Sequence, residues 1–226
     1  MAKLKPGIDV VTRQGLHYVV EDGGGVKQAR PWLGDCFSFL YDFSMRRSVF
    51  PRMLGADIHK HAEILGQVLA DVHGKRVLEL GTGSGSAVHF LSNDNLFTGT
   101  DVSPGLLGKA MKRFGSAGFE DAEFYAVSAD DLPFDDGVFD ACLCILSLNF
   151  FDDARAVVRE ARRVLSPGGV FVCSVPVPER NALRSTIRGK LYSESELRDM
   201  CQDHGFEFES LPGENGALLY FRARLT

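Results

Sequence analysis

The stretch Arg-Val-Leu-Glu-Leu-Gly-Thr-Gly-Ser-Gly-Ser, residues 76 to 86, constrains the fold of this chain more than any other. Val77, Leu78 and Leu80 read as a short strand buried in a parallel sheet. Gly81, Gly83 and Gly85 follow at alternate positions, and a helical pattern opens behind them over residues 86–93. A strand that ends in glycines and turns into a helix lets a ligand lie against bare backbone, where a Cβ would collide. The amides at such a helix start would face that ligand.

Downstream spacing gives the loop a partner. Residues 95–100, Asn-Leu-Phe-Thr-Gly-Thr, read as a second strand that ends at Asp101. An acidic residue at the tip of the second strand of a βαβ unit can accept both hydroxyls of a ribose. The glycine pattern here is G-x-G-x-G, whereas nicotinamide and flavin enzymes carry G-x-G-x-x-G.

At this point the chain resembles the class I S-adenosylmethionine-dependent methyltransferases, and most of all the small-molecule branch that includes the ubiquinone/menaquinone C-methyltransferases. Four pieces carry the resemblance in the family's order: Val77 to Gly85, Thr100-Asp-Val-Ser-Pro104, Asp131 to Asp140, and Arg163-Val-Leu-Ser-Pro-Gly-Gly-Val170. It runs from about Gly74 to Ser174 and more loosely to the C-terminus. It implies an α/β, Rossmann-like, doubly wound sheet of seven strands in the order 3-2-1-4-5-7-6, the last antiparallel. Residues 1–55 would form an N-terminal hairpin and helical lid, and 56–226 the S-adenosylmethionine-binding domain.

The resemblance also implies site residues. Glu79 and Gly81 would serve the amino-acid end of S-adenosylmethionine, and Thr82 and Gly83 would also bind the cofactor. Asp101, with Val102 beside it, would hold the ribose, and Ser128, Ala129 and Asp130 the adenine. The family usually has an aspartate at position 128; a serine hydroxyl still accepts a hydrogen bond but lacks the charge that strengthens it. Cys144 and Ile145, at the end of an apolar strand over 139–146, would border the methionine part. Tyr41 is a lid candidate. Relatives often carry a histidine pair where this chain has Asn149 and Phe150, so no general base is implied there, and the catalytic residues stay unassigned.

Composition narrows the partners. Of 226 residues, 45% are hydrophobic and 24% charged, with a formal net charge of −5, ordinary for one soluble domain. The acidic balance argues against a nucleic-acid partner. No apolar run approaches the roughly 20 residues of a membrane span. The start of the chain lacks the apolar stretch of a secretory signal. The five cysteines include no C-x-x-C and read as small buried hydrophobes. A reducing, cytoplasmic setting and no metal are expected.

Elsewhere the pattern is structural. Residues 10–21 alternate loosely around Gln14-Gly15 and suggest a hairpin. Residues 31–50 read as a helix apolar most of the way round, either wedged into the core or closing over the site. Residues 56–72 read as an amphipathic helix with Ile58, Ala62, Leu65, Leu69 and Val72 on one stripe. His59 and His61 point in different directions and are expected at the surface, with His61 weighed as a proton acceptor and set aside. Ser103-Pro104 and Ser193 to Glu196 read as helix starts. Arg180 to Lys190 reads as a loop bordering the substrate mouth.

The reading that follows is a methyltransferase acting on a small, apolar or aromatic acceptor, the last clause motivated by the aromatic-rich residues 32–50. Two alternatives stay open: a non-catalytic binding module of the same fold, and a nicotinamide-dependent oxidoreductase, which the glycine spacing disfavours.

Overall fold

A computed structural model of the chain describes residues 2–21, 25–26 and 43–225. Its strands are β1 (Val10–Arg13), β2 (Leu16–Val19), β3 (Arg76–Leu80), β4 (Leu96–Asp101), β5 (Glu123–Ala126), β6 (Phe139–Ile145), β7 (Leu165–Pro176), β8 (Phe206–Ser210) and β9 (Leu218–Leu225). All nine belong to one sheet, in the order β1-β2-β5-β4-β3-β6-β7-β9-β8.

The centre is parallel. Leu80 pairs with Thr100, Asp101 with Ala126, Glu79 with Leu143, and Ile145 with Ser174, so the C-terminal ends of these strands share one edge of the sheet. β9 runs antiparallel to both β7 and β8. Both faces are covered. Cys142 and Cys144 of β6 join one apolar cluster, and Ala141, Leu143 and Ile145 join the other. That is why β6 has to be apolar without alternation. Cys142, Cys144, Cys173 and Cys201 are free thiols and buried.

The sheet has nine strands where seven were expected. Gln14 and Gly15 sit at φ 52° and 81°, and a two-residue turn with both centres left-handed closes a hairpin whose twist suits its strands. The hairpin then attaches to the β5 edge through His17 opposite Tyr125, whose rings lie 4.6 Å apart. Residues within the 1–55 segment thus hydrogen-bond into the sheet of the 56–226 segment.

Four α-helices lie among the described residues: α1 (Ile58–Val68), α2 (Pro104–Ser116), α3 (Ala154–Val164) and α4 (Glu194–Gln202). Ser103 caps α2 by accepting Leu106 N–H, with Pro104 in the first turn, and Ser193 with Glu196 forms a capping box on α4. α1 stops four residues short of the expected Val72, because beyond Val68 the chain closes in three-residue turns, Ala70 N–H donating to Gln67 O and Val72 N–H to Leu69 O, in place of the α ladder. The segment after the glycines also falls short, forming only a 3₁₀ turn over Ser86–His89. So short an element carries little macrodipole, and the expected helix-start anion site is reduced to the loop itself.

The helix expected over 31–50 lies mostly outside the described residues, as does Tyr41. Met45–Leu54 is a π-helical segment that contains Pro51 and ends at Gly55, φ 58°. Proline removes a donor from any regular α ladder there, which favours the wider turn.

Candidate functional site

The strand ends at the centre of the sheet build one wall of a cavity of about 1340 Å³. A pocket for one drug-sized ligand is typically about 300–1,000 Å³, and this one exceeds that range.

The glycine loop is tied to its neighbours by short bonds. Thr82 N–H donates to Thr100 O at 2.9 Å, and the Thr82 and Thr100 hydroxyls both donate to Glu79 O. Gly83 N–H donates to Asp101 Oδ2 at 2.8 Å, and Ser103 N–H to Oδ1 at 2.9 Å. Each carboxylate oxygen is thereby aimed by one backbone amide. An ionised acceptor held in this way suits the two hydroxyls of a sugar ring.

Gly81 sits at φ 70°. A Cβ there would lie 2.6 Å from Cβ of Ser147, whose hydroxyl donates to Leu80 O at 2.8 Å. The ends of β3 and β6 are thus stitched together where the strand order reverses, the place at which open α/β sheets bind ligands. Leu146 follows β6 at φ 56°. That conformation is strained for a leucine and marks functional sites more often than it occurs elsewhere.

Gly81, Thr82, Gly83, Asp101, Val102, Ser128, Ala129, Asp130 and Ile145 all line this one cavity. Glu79 and Cys144 do not line it. Glu79 is 1% exposed, its Oε2 has no hydrogen-bond partner, and burial pushes its carboxyl well above the usual range. Cys144 is buried behind the wall with its Sγ 3.2 Å from Ser147 Oγ, so Ser147 stands at the surface where the cysteine was expected.

The loop after Ser128 is held from behind. Glu160 Oε2 accepts Leu132 N–H at 2.9 Å. Arg163 donates to Glu160 at 2.7 and 2.8 Å and to the carbonyls of Phe134 and Leu132. Lys5 N–H donates to Pro133 O, which lays the segment ahead of β1 over the same loop and brings Lys5 and Ile8 to the cavity.

Several lining residues escaped sequence reasoning. Lys5, Ile8 and Leu146 carry no motif. His61 was expected at the surface and is 5% exposed, because Phe50, Phe90 and Tyr220 enclose its ring. Ile187 and Arg188 reach the cavity from the loop expected at the mouth.

Comparison with known proteins agrees with the geometry. A family model described as a methyltransferase domain matches residues 78–173. A demethylmenaquinone methyltransferase from Thermotoga maritima is 33% identical over 174 residues, covering 76% of this chain and 70% of the relative. A fatty-acid O-methyltransferase from Mycolicibacterium smegmatis is 38% identical over 106 residues, 46% of this chain and 38% of that one. Among solved structures, a methyltransferase from Thermotoga maritima superposes with a TM-score of 0.62 at 20% identity, over 85% of this chain and 98% of the other, which speaks to the fold. The fold and the family match define an S-adenosylmethionine-binding α/β protein. The chain belongs to the class I S-adenosylmethionine-dependent methyltransferases.

The residues present fit the family's methyl donor. The bend at Gly81 has no space for a Cβ beside Ser147, and the buried Oε2 of Glu79 lacks a partner beneath the loop. Among the described residues no group of three His, Cys, Asp or Glu side chains is placed to hold a metal, and no helix is long and apolar enough to cross a membrane.

Proposed function

We propose that this protein transfers a methyl group from S-adenosylmethionine to a small, apolar or aromatic acceptor. One observation carries the reading: the Asp101 carboxylate, aimed by Gly83 N–H, opens onto the same cavity as an apolar wall containing Phe50, Leu54, Ile58 and Phe90.

In this reading Asp101 receives the ribose hydroxyls. Ser128, Ala129 and Asp130 border the adenine, steadied by the Glu160–Arg163 pair behind them. Gly81, Thr82, Gly83 and Ile145 border the amino-acid end. Glu79 acts from behind the loop, its negative charge favoured once the ammonium group arrives. The bound donor supplies an electrophilic methyl group on a sulfonium. The chain's own task is to hold the acceptor in line with it at about 3 Å, which supplies much of the rate. The apolar wall also excludes water from the transfer.

The relatives' names point the same way, toward a quinone ring in one case and a fatty acid in another. Isothermal titration with S-adenosylmethionine and S-adenosylhomocysteine tests the reading. One-to-one binding that Asp101→Ala abolishes is expected. No heat with either compound would remove the assignment and leave only the fold. Binding without turnover across quinol, phenol and fatty-acid acceptors would favour the non-catalytic module instead.

A further inference from the structure

On the apolar side of the cavity stands a buried polar group that the methyl-donor reading leaves unused. His61 projects from α1 between the rings of Phe50, at 5.2 Å, and Phe90, at 6.4 Å. Its Nδ1 lies 2.9 Å from the Tyr220 hydroxyl. That hydroxyl accepts the Asn215 amide at 3.1 Å.

This chain of bonds has a direction. Asn215 Oδ1 accepts Asp57 N–H at 2.8 Å, and Asn215 Nδ2 donates to Asp57 O at 2.9 Å. The backbone of Asp57 therefore fixes which end of the amide is nitrogen. The nitrogen is the end that meets Tyr220, so Tyr220 oxygen is an acceptor on that side. A phenol has one proton, and the remaining partner for it is His61 Nδ1. Nδ1 is then the acceptor of the imidazole, and its ring proton sits on Nε2. The opposite tautomer would bring two donors to the Tyr220 oxygen and leave its own buried proton unmade.

The ring is also neutral. Burial holds His61 down to about 4, and no charged neighbour acts on it. Burial likewise keeps Tyr220 protonated, pushed up to about 12, with the Asn215 bond acting the other way. A neutral imidazole whose Nε2 carries the proton donates a hydrogen bond and does not collect a proton there. Such a donor polarises a carbonyl or steadies charge on an oxygen without acting as its base. The sequence-level idea of His61 as a proton acceptor is thereby turned round.

We propose that His61 Nε2–H receives an oxygen of the methyl acceptor, and that the acceptor is therefore an apolar or aromatic molecule carrying a carbonyl, phenol or enol oxygen. This rests on reading the cavity as a methyltransferase site. Tyr220 and Asn215 are positioning residues, which act through the imidazole. The aromatic rings of Phe50 and Phe90 select the apolar body, and the His61 N–H fixes which way round it lies.

The test uses the full chain with uniformly ¹⁵N-labelled histidine. Long-range proton–nitrogen spectra from pH 5 to 8 should show Nδ1 of His61 unprotonated and Nε2 protonated throughout. In the presence of S-adenosylhomocysteine, 1-naphthol should move the Nε2–H resonance, and 1-methylnaphthalene, which has no oxygen, should not. His61→Phe should bind S-adenosylhomocysteine like the wild type and 1-naphthol at least tenfold more weakly, with His61→Gln recovering part of the loss. A proton on Nδ1, no response of His61 to 1-naphthol, or equal naphthol binding by His61→Phe would overturn the proposal. The tautomer is read on the unsubstituted chain, so a variant that fails to fold does not remove the test. Loss of S-adenosylhomocysteine binding by the wild type would sink the methyltransferase reading instead, and is measured separately.

Discussion

Adding one methyl group at Gly81 tests both the bend and the site it shapes. Gly81 is left-handed at φ 70°, where an L side chain costs roughly 1–2 kcal/mol. The new Cβ would also stand 2.6 Å from Ser147 Cβ and 2.9 Å from its Oγ. Ser147 cannot swing aside cheaply, because its hydroxyl donates to Leu80 O at 2.8 Å. Overpacking of a tight contact adds about 1–3 kcal/mol, so Gly81→Ala should lower stability by roughly 2–5 kcal/mol in all. The two contributions separate in a double-mutant cycle with Ser147→Gly. That change removes the obstacle and leaves the backbone strain, so the coupling should recover about 1–3 kcal/mol. Urea titration of the four proteins measures it, and calorimetry with S-adenosylhomocysteine follows the site. Coupling near zero, or a Gly81→Ala cost below about 1 kcal/mol, would show that the loop is not pressed against β6 and that the bare-backbone argument is wrong.

Two further outcomes are expected. Asp101→Asn keeps the shape but sets an amide nitrogen against Gly83 N–H or Ser103 N–H, both of which now donate to the carboxylate. Hydrogen bonds to a charged group are worth about 1.5–3 kcal/mol, so affinity for S-adenosylhomocysteine in calorimetry should fall by roughly 10–150-fold; an unchanged dissociation constant would remove Asp101 from the ribose role. Glu160→Gln tests the clamp behind the loop. Burial raises the Glu160 carboxyl, but Arg163, Leu132 N–H and Lys5 together pull it below its ordinary 4.5. A lowered folded-state value means that the carboxylate's stabilisation is present above pH 4.5 and lost as pH falls through the lower folded value. The wild type should therefore exceed Glu160→Gln by about 1–3 kcal/mol at pH 7, and urea midpoints should converge on acidification; a gap that widens in acid would refute the sign.

The middle of the sheet could be read from residues because its strands are short apolar runs bounded by turns of distinctive chemistry. Phe139 to Ile145 has to be apolar on both faces, and it is buried on both. The attachment of the N-terminal hairpin could not be read in the same way. Alternation marks a strand and not the edge it seeks, and here that edge is chosen by His17 packing on Tyr125, far away in sequence. The turn after Gly85 stops at His89, with Phe90 N–H donating to Ala87 O, and local propensity over residues 86–93 does not contain that end.

The site divides along the same line. The residues proposed to hold a methyl donor come mostly from strand ends between Gly81 and Asp130, contiguous enough for spacing to reveal them. The proposed acceptor side is assembled from Met45 to Ala62, Phe90, and the loop at Ile187 and Arg188, and the orientation of its buried histidine depends on a bond between His61 and Tyr220 that spans 159 positions. A lone histidine on a helix gives no sign of whether its neighbours are water or phenol. His61 was misplaced at the surface because polarity was used as a proxy for exposure, whereas burial is tolerable for a histidine once it is neutral and one nitrogen is satisfied. The half of the site that names the family is therefore local in sequence. The half that would name the acceptor exists only after folding has brought α1 against β9.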